Sequence, residues 1–265
     1  MIKNFFVIVF SVLFALSVHA QENLAWEKVF NRINTEVQKN SRAYKTLGEA
    51  SATISHRLTG SANGKKAEEY AFNLLQSYGY KNVRYQPFEV ESWSRGQLRV
   101  QVGPNAAHLQ NIKSVSLAHS PVKADLTATV VDMGNGLEAD YQTRPKAVTG
   151  KIALVYLGVL PGSAPGTGTL HRSEKTALAT KYGASGIIII NTVAGGTLLT
   201  GTASVTGKLI PIPAVCIGQE DGFKLKSQLL SGPLVATINM TNFSGLIKAR
   251  NVIATLPGKP CPTRR

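Results

Sequence analysis

The chain is poor in the residues that most often announce chemistry. Only two of its 265 residues are cysteine, Cys216 and Cys261, too few for a disulfide framework. Cys216 lies in the apolar run Pro213-Ala-Val-Cys-Ile217 and is expected to be a buried thiol. No His-Glu-x-x-His, no Cys-x-x-Cys and no Gly-x-Ser-x-Gly occurs, which removes common metalloprotease, zinc-ribbon and serine-hydrolase signatures. Acidic residues are scarce as well, 15 against 29 Lys and Arg, giving a net charge of +14. The basic residues are scattered among Ser, Asn and Gly without aromatic interleaving, so they read as a solvated surface rather than a nucleic-acid face. After residue 20 there is no long hydrophobic run, and the Ile187–Ile190 tract is far too short for a span.

What is present begins with an address. Lys3, an apolar stretch from Phe5 to Leu16 and small residues at Ser17-Val-His-Ala20 form a signal-peptide pattern. Cleavage is expected after Ala20, starting the mature chain at Gln21 in a secreted, periplasmic or lumenal compartment, with no membrane association afterwards. Two glycosylation acceptor patterns, Asn239-Met-Thr241 and Asn242-Phe-Ser244, would matter in a eukaryotic secretory route.

Three sections follow. Residues 21–96 read as helical with one strand. Trp26, Val29, Phe30, Ile33 and Val37 recur at helical spacing. A second helix starts after Thr59-Gly-Ser-Ala-Asn63, runs through Tyr70 and Leu74, and ends at Gly79. Tyr85–Trp93 is expected as a strand. Residues 97–245 alternate short β-rich runs with Gly- and Pro-rich connections: 98–102, 128–132, 152–156, 187–191, 214–217 and 235–239. One helix, about Ser173 to Tyr182, closes at Gly183, and Ser173 is the expected N-cap with Glu174 in the first turn. This pattern suggests a compact open barrel or sandwich with one packed helix. Residues 246–265 supply a strand, Ala249–Gly258, and a proline-broken basic tail. With little chain after them, Tyr85–Trp93 and Arg250–Leu256 are expected to be unpaired, and the chain reads as the front part of something larger.

The run Val148-Thr-Gly-Lys-Ile-Ala-Leu-Val-Tyr156, the helix opened by Glu174-Lys175, then Tyr182-Gly-Ala-Ser-Gly-Ile-Ile-Ile-Ile-Asn191 and Ile212-Pro-Ala-Val-Cys-Ile217 resembles a protease-associated (PA) domain. Ile54-Ser-His-Arg-Leu-Thr-Gly-Ser61 before a helix, and Arg250-Asn-Val-Ile-Ala-Thr-Leu-Pro-Gly258, resemble the flanks of secreted di-zinc exopeptidases, the carboxypeptidase Q-like (plasma glutamate carboxypeptidase-like) branch above all. The resemblance implies an α/β fold in which a β-rich PA domain is inserted into an incomplete zinc-exopeptidase domain. It implies peptide or dipeptide substrates, and two zinc ions held by a His-x-Asp pair and further acidic and histidine ligands in the full-length family. None of His56, His108, His119 or His171 is followed two residues later by Asp. Sequence therefore assigns no catalytic and no metal residue to this chain, which is expected to bind no zinc itself, and identifies no substrate-binding residue.

Other constellations take bland readings. Arg57, beside His56, is expected to be structural, capping or pairing with a carboxylate such as Glu68 or Glu69. Gly162-Ser-Ala-Pro-Gly-Thr-Gly-Thr169 lacks the Lys-Ser/Thr ending of a phosphate loop and reads as a plain loop. Thr192–Gly207, rich in Gly, Thr and Ala, reads as a mobile loop. The expected function is that of the N-terminal portion of a secreted zinc exopeptidase, inactive as this chain. A non-catalytic secreted PA module for peptide or protein interaction is the alternative.

Overall fold

The computed structural model describes residues 26–258; the expected signal peptide and the tail from Lys259, with Cys261, lie outside the described residues. The described chain divides into two compact units, residues 26–86 with 250–258, and residues 87–249.

The central unit, residues 87–249, is organised by one mixed sheet. Its strands are β1 (Lys81–Gly103), β2 (Gln110–Asn111), β3 (Ser114–Ser116), β4 (Lys123–Asp132), β5 (Ile152–Tyr156), β6 (Gly186–Ile190), β7 (Ala214–Ile217) and β8 (Leu234–Thr255). The order across the sheet is β2-β1-β8-β4-β5-β6-β7-β3. The unit boundaries fall within β1 and β8. Strands β4, β5, β6 and β7 are mutually parallel, whereas β8 runs antiparallel to β4 and β3 antiparallel to β7.

Parallel strands covered on both faces must be apolar at every position, and β5, β6 and β7 are buried throughout. Side chains alternate across the strand, so the same strands feed two cores. Ile152, Leu154, Tyr156, Ile188, Ile190, Val215 and Ile217 pack on one face with Leu225 of helix α6 (Gln219–Ser231). Ala153, Val155, Ile187, Ile189, Ala214 and Cys216 pack on the other with Tyr141 of α4 (Glu138–Gln142) and Ala179 of α5 (Arg172–Lys181). The unit is thus an open sheet with helices on both faces, where the sequence suggested a single packed helix. Helix α6 carries readable signals, Glu220 and Asp221 in the first turn and Gly232 at its end. It also touches the sheet directly: a Cβ at Gly222 would lie 2.3 Å from Cγ2 of Ile190, so only glycine permits this approach.

Three further expectations change. Tyr85–Trp93 and Leu98–Val102 are one strand, β1, and Val235–Asn239 is continuous with Ala249–Thr255 in β8. These two long strands are sheet neighbours, so neither is unpaired. Mutual pairing carries β8 through the weak strand formers Asn242, Ser244 and Gly245. Pro213 precedes an interior strand, because β7 has β6 on one side and β3 on the other. The N-cap of α5 is His171, not Ser173. Its ring nitrogen Nδ1 accepts from the Ser173 amide at 3.3 Å, and the Glu174 carboxylate accepts from the His171 amide at 2.8 Å.

The flanking unit begins with helix α1 (residues 26–40), followed by α2 (Ala43–Ile54) and α3 (Ala62–Ser77). Sequence gave no separate boundary for α2. Helix α3 starts at Ala62, two residues before the expected start, because Ser61 caps it, its Oγ accepting from the Gly64 amide at 2.9 Å; Gly79 follows the helix at φ +78°. The apolar stripe of α1 is largely exposed; Trp26 is 62% and Phe30 59% accessible.

Candidate functional site

In a parallel α/β sheet, loops that leave the carboxyl ends of the strands collect polar groups at one edge. Here that edge is formed by Asp132, Tyr156, Ile190 and Ile217, and by loops 157–171 and 191–213. At its centre stands Lys175 of α5, fully buried. Its ammonium donates to the carbonyls of Asn135 at 2.5 Å, Tyr156 at 2.7 Å and Gly158 at 3.5 Å. Burial pushes its pKa down to about 8, with the nearby Asp140 opposing. An amine whose protons are all committed to carbonyls is a staple rather than a nucleophile.

Asn135 extends the staple outward. Its Oδ1 accepts from the Leu160 amide at 2.7 Å and its Nδ2 donates to Ser163 Oγ at 2.9 Å, so the Gly162–Thr169 stretch is a loop anchored at its base. Beside it, Asp132 pairs with Lys226 at 2.5 Å and accepts from the Gly134 amide at 2.9 Å, while Arg144 donates to the Asp132 carbonyl at 2.9 Å. These residues line an open groove of about 430 Å³ with Leu229 and Leu230. Across the edge, Gln219 Nε2 donates to the Thr192 carbonyl at 2.8 Å and lies 3.3 Å from the Tyr156 hydroxyl. Two hydroxyls near this edge meet an imidazole, Ser173 Oγ at 2.7 Å from His171 Nδ1 and Thr202 Oγ1 at 2.8 Å from His119 Nδ1.

Of the two structural roles expected of Arg57, capping and pairing, the fold uses the first. Arg57 does not reach Glu68 or Glu69. It donates to the carbonyls of Ser55 at 2.9 Å and Ala50 at 3.3 Å, closing the end of α2, because free carbonyls there lie within local reach. The partner of Glu68 is Arg250. Its Nε meets Glu68 Oε2 at 2.7 Å, its amide donates to Glu68 Oε1 at 3.2 Å, and Nη2 lies 3.8 Å from Glu69. The guanidinium stacks 3.9 Å from the Tyr85 ring centroid, and Tyr85 stacks on Phe72 at 4.6 Å. Glu68 on α3 thereby fastens the returning segment 250–258 to the first segment of the same unit. The hydrogen bond to Glu68 raises the Arg250 pKa, keeping it charged. Sequence singled out Arg250 only as a strand residue; its position next to Asn251 gave no hint of an ion pair 182 residues away in the chain.

Each described histidine has a polar partner, local in the chain for all but His119. His56 Nδ1 lies 3.5 Å from Ser55 Oγ, His108 Nδ1 2.9 Å from Asn105 Oδ1, and His119 Nδ1 2.8 Å from Thr202 Oγ1. His171 caps α5. Among the described residues no three His, Cys, Asp or Glu side chains come together as a metal-holding group, so this donor set does not fit a zinc ion. Cys216 is a buried free thiol whose pKa burial pushes up. Asn242 is also buried, its amide nitrogen donating to the Pro121 carbonyl at 2.7 Å, so the folded strand withholds it from glycosylation. Among the described residues no helix is long and apolar enough to cross a membrane.

Comparison with known proteins agrees with this architecture. The family model described as PA domain matches residues 122–225. The chain is 30% identical over 205 residues to leucine aminopeptidase 2 of Trichophyton equinum, covering 77% of this chain and 37% of that protein. It is 28% identical over 188 residues to mouse carboxypeptidase Q, covering 68% and 38% respectively. A solved structure of a peptidase M28 precursor from Shewanella amazonensis shares the fold with a TM-score of 0.67 at 23% identity, over 86% of this chain and 53% of that one. The chain spans well under half the length of the curated relatives it matches. It contains a PA domain and is similar, over most of its length, to proteins named aminopeptidase and carboxypeptidase.

Proposed function

We propose that this chain provides the scaffold and PA domain of a secreted zinc exopeptidase acting on peptide termini, and that by itself it hydrolyses nothing. The observation that supports this reading is the discontinuous flanking unit. Residues 26–86 and 250–258 form one body closed by the Glu68–Arg250 pair, and the PA-matching residues lie wholly in the chain between them. Relatives named aminopeptidase and carboxypeptidase point to peptide substrates. The zinc chemistry implied by the resemblance would activate a water for attack on a peptide carbonyl. The described residues of this chain offer no group to hold such an ion, so their part is positional.

The test is direct. The chain lacking its first twenty residues is assayed against leucyl-p-nitroanilide and dipeptides, with added zinc and with chelator. No hydrolysis above the blank is expected, and chelator-sensitive turnover would overturn the reading. Export is checked separately by N-terminal sequencing of the secreted product, expected to begin at Gln21.

A further inference from the structure

The segment joining β6 to β7, residues 191–213, has two kinds of attachment. Its second half is zipped to residues 118–119. The Ala118 amide donates to the Gly201 carbonyl at 2.7 Å, the Ala203 amide to the Ala118 carbonyl at 2.9 Å, and the Ile210 amide to the His119 carbonyl at 2.9 Å. Ala203 and Ser204 are buried there.

The first half has no such ladder. It is closed by one carboxylate, Glu220 in the first turn of α6. Glu220 Oε1 accepts from the Gly195 amide at 2.6 Å and Oε2 from the Gly196 amide at 3.0 Å. Both glycines are left-handed, φ +83° and +62°, which turns successive amides toward a common anionic acceptor. These amides also hold the Glu220 carboxyl below its ordinary range. Neutral bonds add to the closure: Gln219 to the Thr192 carbonyl and Asn191 Nδ2 to the Thr197 carbonyl at 2.9 Å. The approach is tight, since a Cβ at Gly218 would lie 3.2 Å from the Gly196 Cα.

Beneath the segment lies Cys216, 1% exposed in β7. Leu199 of the segment packs on the core face that holds Cys216, and the Arg172 side chain lies against Gly201. Gly201 presses on that guanidinium so closely that a Cβ would fall 1.9 Å from Nη2.

We propose that residues 193–200 are a strap latched by the Glu220 carboxylate, and that its release is a local opening of the central unit that admits solvent to Cys216. A carboxylate bound to two amides is a stronger tie than the neutral bonds around it and than the long 3.5 Å contact of the Lys113 ammonium with the Gly196 carbonyl. Its loss frees the strap and lifts Leu199 from the core face that holds Cys216, leaving the opposite core beneath α6 intact. Substitution by the isosteric amide removes the charge and one acceptor.

The thiol is its own probe. In a Cys261→Ser background, Cys216 is the sole cysteine. Its labelling by 5,5′-dithiobis(2-nitrobenzoate) is followed under native conditions and across low denaturant. Opening of a strap exposes little surface, so labelling should depend only weakly on denaturant. Glu220→Gln should accelerate it about tenfold, the scale of a weakened charge-assisted bond. An unchanged rate in Glu220→Gln would overturn the proposal. So would labelling of the parent chain that follows the full denaturant dependence of global unfolding, a measurement that decides the matter even where the variant does not fold.

Discussion

The two units spend their apolar residues differently. In the central unit, β5, β6 and β7 place every side chain in one of two cores, and even a lysine is taken into the interior with its proton donors occupied. In the flanking unit, Trp26, Phe30, Ile33, Val37, Tyr44 and Leu47 stand largely in solvent, and order rests on a few specific ties such as Glu68–Arg250. A sheet covered on both faces is stabilised by area removed from water. Helices with an uncovered stripe depend on local bonds and propensity, which stabilise a short helix only marginally.

The sharpest way to probe this contrast is to remove core volume. Ile189→Ala in β6 should cost about 2–5 kcal/mol in the denaturant unfolding of the central unit. Nearly as costly is Lys175→Met. It strands the Asn135 and Tyr156 carbonyls without a donor, at roughly 1–3 kcal/mol for each buried group left unsatisfied.

The same lysine predicts a pH dependence. Its pKa is about 8 in the fold against an ordinary 10.5, so between those values the unfolded chain binds the extra proton. Lys175 therefore contributes a stability that rises with pH across that window, and the pH slope should be less positive in Lys175→Met than in the parent chain. Arg250→Ala acts on the other unit. Faster amide exchange is expected within 26–86 and 250–258, with β5, β6 and β7 unchanged. The smallest effect belongs to Phe30→Ser, within about 0.5 kcal/mol, as for an exposed position. A loss of several kcal/mol there would mean that the stripe of α1 is covered.

Much of the central unit was legible because its strands carry an unambiguous pattern. Ile187–Ile190 and Ile152–Tyr156 are apolar at every position, and Gly183 follows α5 with φ +81° as a helix stop demands. Helix α6 escaped because its apolar positions, among them Phe223, Leu225 and Leu229, are interrupted by lysines, and its fit depends on the absence of a side chain at Gly222. The pairing of β1 with β8 escaped for another reason. Strand partners more than a hundred residues apart leave no local trace, and polar stretches such as Asn242–Gly245 read as breaks. At the site level, scarcity was readable and geometry was not. The absence of metal-spaced histidines is visible in the letters, whereas the Lys175 staple, the Glu220 latch and the Arg250 stack each join residues whose proximity only folding creates.

The contrast between the units is tested most directly by native-state hydrogen exchange on the whole mature chain. Amides of 152–156, 187–190 and 214–217 should exchange only through global unfolding of the central unit, while those of α1, residues 26–40, exchange orders of magnitude faster through local fraying. Protection in α1 equal to that of β6 would contradict the account.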